Sequence, residues 1–580
     1  MTVFLRMVKE SLRHWQLLLV VLALSIAAQA GMIAIPAIVR RMIDQVFDEG
    51  RTELLPLLSI GVVGLALAKA ALQYAEMVNG GRFGQNVMRD MRRTVYHKLT
   101  RLSFGYFDRT RTGELMSRIT NDMEPIGFFL MFYSRLIVRS TLLFLGTFIY
   151  CLTMNWKLAL ASLGTLPLLT ITATICGAYI RPAFEKARAV LAEVTSRLQE
   201  SIGAITIVKT YCREEREIER FFGDSKRLRD ANYKAEKIDA LYFPLTGFWA
   251  ALAGVIVVWY GGVLTIRGEM SSGEFIAFNM YVAFLIMPMR MMGWGVSNAM
   301  RSLAAAERIY AVQDETPDLE SPPDPKPVER LKGDIELRNV SFSYKHGEPV
   351  LRDIDLNIRT GETLGVLGTV ASGKSTLTAL IPRYYDPDAG QILIDGEDVR
   401  ELNLEQLRAQ IGMVFQESFL FSGTIRENIA FGRVDATEEE IRKAADDAAI
   451  LEFIDSLEDG MDTQVGERGM RLSGGQQQRL AIARALLTDP RVLILDSCTS
   501  SVDTYTEYLI QQALENVRAD RTTIIIAHRA SSVAMADRVI VMDGGRIVQE
   551  GTPEELSADE DGLFARFDRL QQDLEGLEVA

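Results

Sequence analysis

Residues 368–375 read G-T-V-A-S-G-K-S and match G-x-x-x-x-G-K-[ST], the spacing of a loop that wraps phosphates. The backbone N–H groups of such a loop and the helix start behind it cradle the anion. Lys374 supplies a cation for the terminal phosphates, and the Ser375 hydroxyl is a ligand for Mg²⁺. Residues 491–496, RVLILD, form an apolar run ending on Asp496, a carboxylate placed to orient the same metal. Between these motifs lies LSGGQQQR at 472–479, where Ser473, Gly474 and Gly475 can open a helix and offer N–H groups to a phosphate. The chemistry implied is binding of Mg-ATP and, given a base, its hydrolysis.

Such a loop works only between a strand and a helix. The text supplies both: IELRNVSFSY and then TLGVLG read as strands, and an apolar helix begins near Ser375. Upstream, residues 313–330 are acidic and proline-rich, unable to continue a helix, and mark a linker. The soluble domain is therefore expected at 331–580.

The first half is different in kind. Residues 15–39 hold no charged side chain, enough for a helix to cross about 30 Å of hydrocarbon. Similar runs at 54–75, 128–156, 158–180, 241–266 and 275–300 are interrupted only by Lys69, Arg135, Arg139 and Arg290, so six spans are predicted within 15–312. The intervening segments 76–127 and 181–240 carry nine and thirteen Lys/Arg, whereas 40–53, 155–157 and 267–274 carry three, one and one. The basic bias places the first two segments, the N-terminus and the soluble half on the cytoplasmic side. Both long segments have helical periodicity, so the membrane helices should extend into the cytoplasm, with tips near 104–113 and 210–215 suited to meet a motor domain. The four intramembrane cations should face a partner or a water-filled cavity rather than lipid. Residues 1–14 mix apolar and basic side chains, as in a helix lying in the headgroup plane or a plain basic flank.

Composition agrees with two domains. A chain of 580 residues exceeds one hydrophobic core, and a net charge of −13 argues against a nucleic-acid partner. Four dispersed cysteines form neither a metal pair nor a secreted disulfide framework, and the basic, apolar start reads as a retained span rather than a cleaved signal.

The ordered phosphate loop, LSGGQ and Asp-ending strand, behind six spans, resemble an ATP-binding cassette exporter of the half-transporter type, over essentially the whole chain. The resemblance implies a membrane α-helical six-span exporter domain plus an α/β P-loop nucleotide-binding domain with a helical signature subdomain. It implies Tyr344 stacking on adenine, with Gly368, Ser372, Gly373, Lys374, Ser375 and Thr376 around the phosphates. It implies Mg²⁺ on Ser375, Gln416 and Asp496, and catalytic roles for His528 and Gln416. Ser473, Gly474, Gly475 and Gln476 would serve a partner's ATP in trans, because two such domains sandwich two nucleotides head to tail. Asp503 falls where the family communicates between subunits, and residues 463–469, TQVGERG, resemble a segment that contacts the coupling helices. The location implied is a multi-pass protein of the plasma (inner) membrane.

One departure bears on activity. The family usually has Glu after the Asp-ending strand as general base, but this chain has Ser497, whose hydroxyl is hardly basic without a base of its own. Ala371 also stands where the family commonly has Gly. The pattern resembles the degenerate half of a heterodimeric exporter: this site binds ATP but turns over poorly, and a second half-transporter supplies the missing Glu. The competing expectations are a slow homodimeric drug or lipid flippase, a deliberate replacement of that Glu, and an ATP-gated regulator or channel. Multidrug or lipid export makes amphipathic compounds the expected substrates.

Overall fold

The computed structural model describes residues 2–344, 347–466, 469–496 and 521–578, without side-chain placement at 286–294, 296, 571–578 and a few positions at 163–174 and 243. The chain packs as two units: Met1–Thr100 with Thr112–Glu315, and Arg101–Arg111 with Thr316–Ala580.

The first unit is helical. Leu54–Leu99, Thr165–Gly203, Glu214–Ile256 and Ser272–Asp314 run for 46, 39, 43 and 43 residues. At 1.5 Å per residue these are roughly 60–70 Å long, twice the hydrocarbon thickness, so helix continues well beyond each apolar run. Among the described residues four stretches are long and apolar enough to cross a membrane: Val3–Asp48, Leu54–Leu99, Thr112–Met154 and Glu214–Ile266. Four of the six expected spans are thus found within the described residues. The runs at 158–180 and 275–300 cross positions whose side chains lie outside the described residues, and Ser272–Leu285 counts as a shorter apolar helix. The run at 158–180 is also not one helix, because it is split at Gly164 into Trp156–Leu163 and Thr165–Gly203. Pro167, just inside the second piece, has no N–H with which to extend the first. At the N-terminus, helix Thr2–Ser11 is tied to the end of Ser272–Asp314: Arg6 Nη1 meets Asp314 Oδ1 at 2.7 Å, its guanidinium lies 4.2 Å from the Tyr310 ring centroid, and Tyr310 donates to Glu10 at 3.1 Å.

The second unit holds two sheets. The first contains β1 (Ile335–Phe342), β2 (Leu351–Ile358), β4 (Ala389–Ile394) and β5 (Glu397–Asp398), antiparallel in the order β2-β1-β4-β5. The second contains β3 (Thr363–Gly368), β6 (Ile411–Val414), β7 (Val492–Asp496), β8 (Thr522–Ile526), β9 (Arg538–Asp543) and β10 (Arg546–Gly551), in the order β10-β9-β3-β8-β7-β6. Strands β9, β3, β8, β7 and β6 are mutually parallel and β10 closes one edge antiparallel. The residues of β3, β7 and β8 are all buried, which explains why their mostly apolar text does not alternate: a parallel strand covered on both faces has no wet side. The Gly474–Leu487 helix lies against β6 and the helices Ile425–Ile429 and Glu438–Asp447, around a core of Leu480, Ile482, Ile425 and Ile441.

Candidate functional site

The register of the parallel sheet gathers the motifs at one edge. Val366 pairs with Ile526, Ile526 with Asp496, and Leu495 with Val414. Two residues beyond these rungs stand Gly368, His528 and Gln416, so the phosphate loop, both candidate catalytic side chains and the metal-orienting Asp496 all emerge from the carboxyl ends of adjacent strands. In an open α/β sheet that edge is where ligands bind.

The loop geometry explains its residue types. A Cβ at Gly368 would sit 2.1 Å from Met542 O, and one at Gly373, with φ +97°, would meet Leu351 Cδ2 at 2.8 Å. Lys374 is buried and its Nζ donates to Gly368 O at 2.9 Å and Thr369 O at 2.8 Å, folded over the loop it serves. Burial pulls its ammonium below the ordinary lysine value while the Asp496 carboxylate pulls the other way. Ser372 is 2% exposed and its hydroxyl has no hydrogen-bond partner among the described residues, an orphan that a phosphate oxygen would satisfy. These residues fit a nucleotide phosphate, and Ser375 beside them is exposed and able to reach a metal.

Ala371 has φ +63°, the left-handed region that favours glycine. For a residue with a Cβ this costs roughly 1–2 kcal/mol, against which Gly would lose about 0.4–1 kcal/mol through its freer unfolded chain. Ala371→Gly is therefore expected to stabilise the second unit by about 0.5–1 kcal/mol net, raising its calorimetric transition by about 1–3 °C without nucleotide. An unchanged or lower midpoint would show that the loop carries no such strain.

Burial first, then the Lys374 ammonium, hold His528 below its ordinary value, with Asp496 opposing. The imidazole is neutral at physiological pH and can present an N–H to a phosphate oxygen. Tyr344 is part-exposed, and its hydroxyl lies 3.2 Å from Thr376 Oγ1, which brings the aromatic expected under adenine against the phosphate-loop helix. Ser473 caps the Gly474–Leu487 helix in a reciprocal pair: its Oγ accepts from Gln476 N at 3.3 Å, and its own N–H donates to Gln476 Oε1 at 2.9 Å. Ser473 and Gly474 are exposed, and among the described residues the side chains of Ser473 and Gln476 hydrogen-bond only within their own turn. The chain thus gathers the phosphate-loop residues, Gln416, Asp496 and His528 at one edge, and leaves the signature turn facing outward. Ser497 and Asp503 lie outside the described residues, as do Glu467 and Arg468 of the 463–469 segment.

In the helical unit a second constellation involves Glu76, which sequence reading treated as the first residue after a span. It is 1% exposed in the middle of Leu54–Leu99 and accepts from Ser25 Oγ at 2.9 Å. Arg139 Nε approaches its other oxygen at 4.0 Å, and Arg135 Nη1 donates to its carbonyl at 3.3 Å. Gly80 makes the room: a Cβ there would stand 2.7 Å from Arg135 Cδ. Arg135, Arg139, Gln73, Tyr74 and Phe132 line a cavity of about 270 Å³. Lys69 instead donates to Met32 Sδ at 3.0 Å, and the Arg290 side chain lies outside the described residues.

Known proteins share this arrangement. Residues 18–289 match the ABC transporter transmembrane region and residues 351–500 the ABC transporter domain. An uncharacterized ABC transporter ATP-binding protein of Bacillus subtilis is 36% identical over 94% of this chain and 95% of its own length. An ATP-dependent lipid A-core flippase of Desulfotalea psychrophila is 38% identical over 90% and 91%. The solved structure of a bacterial Atm1-family ABC exporter with ATP bound aligns with a TM-score of 0.80 at 28% identity, covering 96% of this chain and 98% of that one. With a transmembrane region and an ATP-binding domain joined in that order on one polypeptide, the chain belongs to the ATP-binding cassette transporters, as a half-transporter of the exporter type.

Proposed function

We propose that this chain is one half of a dimeric, ATP-driven exporter of amphipathic molecules, and that its own site holds Mg-ATP but hydrolyses it slowly. Tyr344 takes the adenine, while Gly368, Ser372, Gly373, Lys374, Ser375 and Thr376 surround the phosphates. Ser375, Gln416 and Asp496 would hold Mg²⁺, which neutralises charge on the phosphates. His528 donates a hydrogen bond to the terminal phosphate. Ser473, Gly474, Gly475 and Gln476 serve the partner's nucleotide: the capping pair of Ser473 and Gln476 sets the start of a 14-residue helix, and the N–H groups of Gly474 and Gly475 within it suit an anion, with no phosphate of its own chain assigned to them. A partner is further supported by the tip of the long helices, where Ile205, Ile207 and Tyr211 are exposed on the side expected to be cytoplasmic. The Lys/Arg bias of the loops supports an inner-membrane protein with its N-terminus and ATP-binding unit in the cytoplasm.

The observation that carries substrate export is the cavity at Arg135 and Arg139. Two guanidinium groups against one carboxylate, Glu76, leave net positive charge beside Tyr74 and Phe132, which suits an amphiphile with an anionic headgroup. Arg139→Gln should raise the concentration of an anionic amphiphile needed for half-maximal ATPase stimulation about tenfold, from loss of one charge-assisted contact. Stimulation by a neutral amphiphile should stay within about twofold. Equal losses for both would remove the charge argument.

Reconstitution in proteoliposomes, alone and with a second half-transporter bearing Glu after its Asp-ending strand, tests the whole reading. The expected result is slow ATPase alone, and brisk ATPase with vectorial uptake in the mixture. A homodimeric lipid flippase is the second reading, favoured by relatives described as lipid A-core flippases. Brisk ATPase and lipid translocation by this chain alone would select it.

A further inference from the structure

The second unit carries a cleft of about 460 Å³ that shares one wall residue, Tyr344, with the proposed adenine site and whose other walls no step above uses. Its walls are aromatic: Phe342 and Tyr344 at the end of β1, and Tyr384 and Tyr385 just beyond the phosphate-loop helix. The rings are continuous, with Tyr344 edge-on to Tyr385 at 5.4 Å between centroids, and Phe104 stacked on Tyr384 at 4.2 Å. Four carboxylates stand around them, Asp108, Asp318, Asp386 and Asp388, with Arg109 the single cation in the lining among the described residues.

Among the described residues the charges do not cancel. Asp318 meets Arg109 at 3.3 Å and Asp386 meets Arg383 at 2.8 Å. Asp108 instead accepts from the Tyr385 hydroxyl at 2.7 Å, and Asp388 from Ser343 N and Oγ at 2.7 and 2.8 Å, all neutral donors. Burial and the Asp108 carboxylate hold the Tyr385 phenol well above its ordinary value, so it stays a donor. Two carboxylates therefore lack a counter-cation among the described residues, beside faces of π density. The volume falls in the range of small-molecule sites. A metal is a poorer match, since among the described residues no group of three His, Cys, Asp or Glu side chains is placed to hold one.

We infer that this cleft binds a small organic cation, a protonated or quaternary amine on an aromatic carrier, at a place separate from the transport cavity. Its ammonium sits between the Asp108 and Asp388 carboxylates and against the tyrosine rings, where cation–π attraction and charge act together. Because Tyr344 lines the cleft while its hydroxyl rests near Thr376, the occupant restrains the aromatic assigned to adenine, and so weakens ATP binding.

The probe is benzyltrimethylammonium, titrated by calorimetry against the full-length protein in lipid nanodiscs without nucleotide, with benzylsulfonate as the anionic counterpart. One saturable site per chain is expected for the cation and none for the anion. The double variant Asp108→Asn/Asp388→Asn keeps both acceptor oxygens but removes both charges, and should weaken cation binding about tenfold. Tyr384→Phe, which keeps the ring, should bind as the wild type does. A saturating cation should also raise the apparent Kd for ATP in the wild type and not in the Asn variant. Undiminished binding by the Asn variant, equal binding of benzylsulfonate, or no saturable binding at any protein concentration would overturn the site. Binding lost only where the protein self-associates would show that a second copy fills the cleft, and would overturn it equally.

Discussion

Ser497→Glu raises the Mg-ATPase rate of this chain, assayed alone in nanodiscs, by about a hundredfold or more, within the range a positioned general base contributes. The argument starts from what is already in place. Asp496 ends β7 level with Ile526, two residues before His528, and its carboxylate acts on the ammonium of Lys374. The loop offers an unpartnered Ser372 hydroxyl and a buried lysine. The groups expected to bind and polarise phosphate are in place, and on the proposed degenerate-site reading what this chain lacks is a group to take the proton of the attacking water. A serine hydroxyl does not take it at neutral pH, and a glutamate carboxylate does. ATP affinity, followed with a fluorescent analogue, should change less than about threefold, because the carboxylate acts on water rather than on the ground-state phosphates. A wild-type rate already brisk, or a Glu variant as slow as the parent, would sink the degenerate-site reading.

Lys374→Met should weaken ATP binding by about 10²–10³-fold. Lys374 is 5% exposed with its ammonium folded onto the loop, so phosphate oxygens would meet it largely free of water, and charged hydrogen bonds are worth roughly 1.5–3 kcal/mol each. Methionine keeps much of the apolar stem and removes the charge, leaving Gly368 O and Thr369 O without their donor. Lys374→Arg should not rescue, because a planar fork does not replace a compact point charge in a loop this tight. A Kd within about threefold of wild type, in a protein with an unaltered melting transition, would contradict the assignment.

The nucleotide site was legible because its geometry is local. A loop that must bring N–H groups to an anion needs glycine where a Cβ would strike Met542 O or Leu351, so its spacing is readable without knowing the fold. The apolar runs were legible for the same reason, since a span has to be apolar along its length. What escaped depends on contacts far apart in sequence. Glu76 follows an apolar run directly, and a charge there looks the same whether it ends a span or is buried against Ser25, 51 positions earlier. The split at Gly164 turns on one proline that hydropathy does not register. The stacking of Phe104 on Tyr384 joins two aromatics that no spacing rule relates.

The membership of Arg101–Arg111 in the second unit has a consequence for biosynthesis. The Asp108 carboxylate and the Tyr385 hydroxyl that it accepts from are 277 positions apart. At about 5–20 residues per second, a ribosome adds the second on the order of tens of seconds after the first. Throughout that interval Phe104 and its neighbours are synthesised but have nothing to pack on, while the long helices around them are being placed. The contact of Asp108 with Tyr385 therefore cannot form until synthesis has passed residue 385. A polypeptide beginning after residue 315 would lack Phe104, the ring stacked on Tyr384, and Asp108, the carboxylate that accepts from Tyr385.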